Sequence, residues 1–91
     1  MTENRQIGRE NLFFMADLRH EGIGEDERIR VRNLSARGLM GESTMPIATG
    51  ENLSVNLRNI GWVRGSVAWV QDNRFGLAFD DEIDAAQVHE A

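Results

Sequence analysis

The sequence predicts an all-β fold, a six-stranded antiparallel β-barrel with a short C-terminal helix. Three observations predict it. Six short segments alternate apolar and polar residues with period two, as strands do when one face is buried and the other is wet. Between them lie clusters of Gly, Asn, Asp, Ser and Pro, the residues at which a backbone turns. Beyond Asp80 the alternation gives way to a helical pattern. Many short strands with no internal repeat point to a small closed barrel.

Residues 1–10 are polar and read as a flexible N-terminal arm whose distinctive feature is Arg5-Gln6-Ile7-Gly8-Arg9. Residues 11–80 form the barrel, and residues 81–91 a short helix or tail. The first strand covers 12–20, with Leu12, Phe14, Ala16 and Leu18 facing in. Phe13 and Met15 make the start of its outer face apolar as well, so that half is expected to be covered on both sides. Residues 21–27, with Gly22 and Gly24 among the acids, read as an exposed loop. In the second strand Ile29 and Val31 alternate with Arg28, Arg30 and Arg32. It runs into Asn33-Leu34-Ser35-Ala36-Arg37-Gly38, where Asn and Ser can bond the backbone and Gly supplies positive φ or room for close approach.

A third short strand over 39–42 precedes a surface connection, 43–51, in which Pro46 excludes a central strand. Leu53, Val55 and Leu57 face in from the fourth strand. Asn59-Ile60-Gly61 turns the chain into the longest strand, 62–71, with Val63, Gly65, Val67 and Trp69 on the inner face. Gly65 within it marks a sharp bend or a close neighbouring backbone. A hairpin link at Asp72-Asn73 leads to the last strand, where Phe75, Leu77 and Phe79 face in and Gly76 and Ala78 face out. Asp80 or Asp81 then caps a helix of about two turns, which forms only by docking on the barrel. Ile83, Ala86 and Gln87 are its expected inner face.

Ninety-one residues make one domain with one small core. No apolar run reaches the roughly 18 residues of a membrane span, and residues 1–5 lack the apolar segment of a signal peptide, so a cytoplasmic protein without membrane contact is expected. Absence of cysteine excludes disulfides and thiolate metal sites. His20 and His89 lie far apart in the sequence and read as solvated, so neither a metal nor a cofactor is expected. The net charge of −5 argues against DNA or RNA as a partner, because such binding neutralises phosphates. All ten basic residues are nevertheless arginine, and seven fall in the first forty positions, while carboxylates gather at 21–27 and 80–90. A locally positive region is the consequence. The planar arginine fork suits phosphate, a guanine edge or a flat ring. No nucleophile–base pair or paired carboxylate in a cleft is visible, which speaks against an enzyme. Trp62 and Trp69 read as core or rim packing.

Arg5-xxx-Arg9 in the arm and Asn33-x-Ser35-xx-Gly38 at a strand–turn boundary resemble the two signatures of the PilZ domain, RxxxR and [D/N]xSxxG. Trp62-Val63-Arg64-Gly65-Ser66-Val67-Ala68-Trp69-Val70 and Arg74-Phe75-Gly76-Leu77-Ala78-Phe79 resemble the family's fifth and sixth strands. The resemblance implies a PilZ-like barrel that binds cyclic di-GMP, a bacterial second messenger, orders its arm on the ligand and signals to a protein partner. It implies Arg5, Arg9, Asn33, Ser35, Arg37 and Gly38 as ligand-binding residues. Arg5 and Arg9 would clamp guanine or phosphate, Asn33 and Ser35 would hydrogen-bond from the turn, and Gly38 would let the ligand lie close. Arg37 either stacks on a second guanine face or is an exposed turn residue. Asn33 stands where aspartate is commoner and offers one acceptor oxygen in place of two, which implies a weaker hold on a guanine edge. Leu39 follows Gly38 where a second glycine is common. Asn4 stands where some members carry a further arginine, which implies one ligand per chain. The alternative function is a PilZ-like adaptor that works by protein contact without nucleotide.

Overall fold

The period-two segments become six strands, and each finds antiparallel partners on both sides. They are β1 (Phe14–His20), β2 (Asp26–Leu34), β3 (Gly38–Glu42), β4 (Asn52–Leu57), β5 (Gly61–Gln71) and β6 (Arg74–Phe79). The structure, a computed structural model, describes residues 14–22 and 25–89, residue 89 by its backbone alone. Arg5, Arg9, Leu12, Phe13 and the side chain of His89 lie outside the described residues. The strands close into a barrel in the order β1-β2-β3-β6-β5-β4, which leaves no unpaired edge. The fold expected from the alternation is the fold that forms. Among the described residues no helix is long and apolar enough to cross a membrane.

Inside the barrel Leu18, Ile29, Val31, Leu39, Leu53, Val55, Leu57, Val63, Val67, Phe75 and Leu77 are buried together with Ala16. Phe14 and Phe79 are half-buried and pack on this cluster. The start of the described chain, Phe14, pairs with Val31, so β1 enters the barrel at the end that carries the β2–β3 turn. His20, the 43–51 connection and the Asp72-Asn73 hairpin lie at the other end.

The barrel is tightest around β6. A Cβ at Gly38 of β3 would collide with the Leu77 carbonyl oxygen, and one at Gly65 of β5 with that of Ala78. Two glycines on flanking strands therefore let β6 sit between them, which is the close backbone approach that Gly65 suggests in the sequence.

Several expectations need correction. Residues 26 and 27 belong to β2 and not to a loop, because Asp26 accepts two hydrogen bonds from Arg19 across the β1–β2 ladder. Glu27 is half-buried beside His20, and His20 is 4% exposed, not solvated. Met15 is left 42% exposed where a covered face is expected. Trp69 points out of the barrel, because a register shift between Val67 and Trp69 reverses the alternation of β5. The terminal helix is a single 3-10 turn, Ala85–His89, capped by Asp84, whose carboxylate accepts from the Ala86 N–H at 3.2 Å. Asp80 and Asp81 do not cap it, since the Asp80 N–H donates to Arg64 and the Ile83 N–H to Ala36. Ala86 and Gln87 are exposed, and Val88 supplies the buried contact. Arg58 and the Asn59 amide hold the end of the turn by donating to the Val88 and Gln87 carbonyls.

Gly65→Ala is expected to cost about 1–3 kcal/mol, the range for overpacking a site that cannot relax, because the colliding atom is backbone. Urea unfolding measures it. An unchanged midpoint would show that β5 and β6 are not pinned there.

Candidate functional site

Strict alternation on β2 would point Val31 and Asn33 to the same side. A register shift between Val31 and Asn33 prevents this, so Asn33 pairs with Met40 while Leu34 pairs with Leu39. Asn33 becomes exposed and Leu34 packs on the core. The matching shift on β5 pairs Trp69 with Gly76. Asn33, Met40, Gly76 and Trp69 thus form one row across β2, β3, β6 and β5 on the outer surface. Gly76 is essential to that row. A Cβ there would collide with the Trp69 indole ring, so the glycine is the seat on which the indole lies.

Row and turn together border an open basin of about 360 Å³ lined by Asn33, Ser35, Arg37, Gly38, Ala68, Trp69 and the backbone of β6. Of the six residues expected to bind ligand, the structure brings Asn33, Ser35, Arg37 and Gly38 together here. Arg5 and Arg9 lie outside the described residues.

Ser35 shapes the turn. Its hydroxyl donates to the Gly38 carbonyl at 3.2 Å and accepts from the Arg37 N–H at 3.3 Å, while the Ser35 N–H donates to the same carbonyl at 2.9 Å. One lone pair of the hydroxyl remains. Gly38 is demanded by the β6 backbone behind it, as its missing Cβ shows. The end of β6 and the chain after it strap the turn from outside. The Phe79 N–H donates to Arg37 and the Ile83 N–H to Ala36, at 2.8 and 2.9 Å, and Glu82 pairs with the exposed Arg37 guanidinium at 3.0 Å.

The positive region is largely matched by local carboxylates. Arg19 pairs with Asp26, whose carboxyl the guanidinium hydrogen bonds hold below its ordinary range. Arg28 pairs with Asp17, and Arg30, Arg32 and Arg74 gather within 3.8 Å of Glu42. Trp62 is as exposed as Trp69 but lies on another face, under the Arg19 guanidinium at 4.0 Å.

Trp69 is the site residue that the alternation hides. Its signal is the partner sequence: a glycine flanked by inward-facing Phe75 and Leu77 leaves a slot that a neighbouring large ring can fill.

The PilZ domain family model matches residues 3–91, essentially the whole chain. This protein belongs to the PilZ domain family. PilZ domains are cyclic di-GMP receptors and adaptors, binding modules and not enzymes. No curated protein and no solved structure matches the chain.

Gly76→Ala is expected to lift the indole of Trp69 off β6. In a Trp62→Phe background, which leaves one tryptophan, its emission should move to the red and become more accessible to acrylamide. An unchanged spectrum would contradict the seat assigned to Gly76.

Proposed function

We propose that this chain is a receptor module for cyclic di-GMP that signals to a protein partner. The observation that carries this reading is the convergence of Asn33, Ser35, Arg37 and Trp69 on one basin, at the barrel end where β1 begins. A guanine suits this set. The Asn33 amide offers a donor and an acceptor side by side for a base edge. The proton of the Ser35 hydroxyl is engaged with Gly38, so its remaining lone pair suits a base N–H better than a phosphate oxygen. Trp69 gives the base a flat aromatic surface, and such stacking contributes about 1–3 kcal/mol per base.

Arg5 and Arg9 supply what the turn lacks. Among the described residues the basin is lined by a single cation, Arg37, which is paired with Glu82, whereas the ligand carries two phosphates. An arginine fork binds phosphate or the guanine edge in bidentate fashion. Binding brings Arg5 and Arg9 onto the ligand from the N-terminal side, and this ordering is the signal read by the partner. The acidic stretch 21–27, its part-buried Glu27 apart, or the terminal turn is the surface offered to that partner.

Calorimetric titration with cyclic di-GMP tests the reading. Arg9→Ala should weaken binding by about 1.5–3 kcal/mol and Ser35→Ala by about 0.5–1.5 kcal/mol, the values for a charged and a neutral hydrogen bond. Trp69→Ala should cost the stacking energy. A chain truncated before Glu10 that binds as the full chain does would remove the arm from the mechanism. A wild type that gives no heat at millimolar ligand would favour the adaptor.

A further inference from the structure

At the barrel end remote from the basin, side chains of β1, β2 and the two ends of the 43–51 connection form a polar cluster. His20 closes β1 and is 4% exposed. Its Nδ1 lies 2.7 Å from Glu51 Oε2, just before β4, and its Nε2 lies 3.4 Å from Glu27 Oε1 on β2. The Ser43 hydroxyl, at the start of the connection between β3 and β4, donates to the other oxygen of Glu27 and accepts from the Met45 N–H at 3.0 Å. Glu51 Oε1 accepts from the Ala48 N–H at 3.1 Å. Both ends of the nine-residue connection 43–51 are therefore tied, through carboxylates, to one imidazole.

We propose that His20, Glu27, Ser43 and Glu51 are a pH-sensitive latch that holds the 43–51 connection against the barrel and loosens its Ser43 end when the imidazole loses its proton. An imidazolium donates from both ring nitrogens, and a neutral imidazole from only one. The shorter contact keeps the remaining proton on Nδ1, facing Glu51. Nε2 then turns a lone pair toward Glu27, a carboxylate whose side chain is only 11% exposed. Repulsion falls on the Glu27–Ser43 pair and so on the Met45 turn that Ser43 supports.

Of the other charges at this end, Asp26 pairs with Arg19, Glu21 with Arg64 and Glu42 with Arg74, while Glu25 and Asp72 are exposed. The facing strand β4 presents Leu53 opposite His20. Among the described residues no group of three such side chains is arranged to hold a metal ion. What the latch governs is a groove of about 280 Å³ between residues 43–47 and 70–75, with Met45 on its rim 46% exposed.

Burial alone would push the imidazole down, but the hydrogen bonds and charges of Glu51 and Glu27 outweigh it and leave the pKa of His20 above its ordinary value. Burial likewise pushes Glu51 up, and its hydrogen bonds to His20 and Ala48 bring it below the usual carboxylate value. A raised histidine stabilises the fold fully below its unfolded pKa of about 6.5 and ceases to do so as pH rises through the folded value. The lowered carboxylate is lost only in acid. The latch is thus closed from the carboxylate range up to the histidine transition.

NMR titration of the full chain, with His89→Gln to leave one imidazole signal, tests this. The His20 ring should titrate above about 6.5, the ordinary histidine value, and the amide shifts of Ser43, Thr44, Met45 and Ile47 should follow the same midpoint while those of 35–38 stay put. Met45 amide protection, corrected for intrinsic exchange, should fall across the same transition. Glu27→Gln should lower the midpoint without unfolding the barrel. A midpoint at or below the ordinary value, one unmoved by Glu27→Gln, or residues 43–47 indifferent to the transition would each overturn the latch.

Discussion

On β2 and again on β5 the ladder slips by one residue, at Arg32 and at Ala68, and each slip reverses the side to which the following side chains point. Without the first, Asn33 would point into the core and Leu34 into water. Without the second, Trp69 would compete with Val67 and Phe75 for the barrel interior. Both reversals fall on the same row of the sheet, so the polar turn and the indole end up side by side on the outer surface. The glycines around β6 follow from the same arrangement: Gly76 seats the ring, while Gly38 and Gly65 let the flanking strands close around the backbone on which it rests.

The alternation of apolar residues made the barrel legible. Leu53-x-Val55-x-Leu57 and Phe75-x-Leu77 face in with no interruption, and closure satisfied every strand. The motif residues 33–38 were legible too, because a polar turn at the end of an arginine-flanked strand stands out in any reading. Trp69 was not, since a bulge adds one residue without leaving a compositional mark. The burial of His20 is hidden for a different reason: its partners Glu27 and Glu51 come from β2 and the 43–51 connection, and only the folded barrel brings them together. Asp80 and Asp81 resemble helix caps in the sequence, yet backbone donors in that stretch go to Arg64 and Ala36, and the helical turn starts only at Ala85.

Charge is distributed by the same logic. Arginines dominate the outer face of β2 and are joined by Arg19 on β1, but their near neighbours in the ladder are Asp17, Asp26 and Glu42. Exposed pairs of this kind contribute little to stability. Their effect is to confine positive potential to few places, and among the described residues lining the basin Arg37 alone is cationic. An anionic ligand held there needs cations from another part of the chain, which is the role proposed for Arg5 and Arg9.

The central claim is that the turn and Trp69 act as one receptor surface for a cyclic dinucleotide. Nitrogen–proton correlation spectra of the wild type, recorded as cyclic di-GMP is added, test it most directly. The account predicts shifts concentrated in the amides of residues 33–38 and in the indole N–H of Trp69, with the indole of Trp62 undisturbed. A spectrum unchanged at millimolar ligand, or one in which Trp62 responds and Trp69 does not, would contradict it.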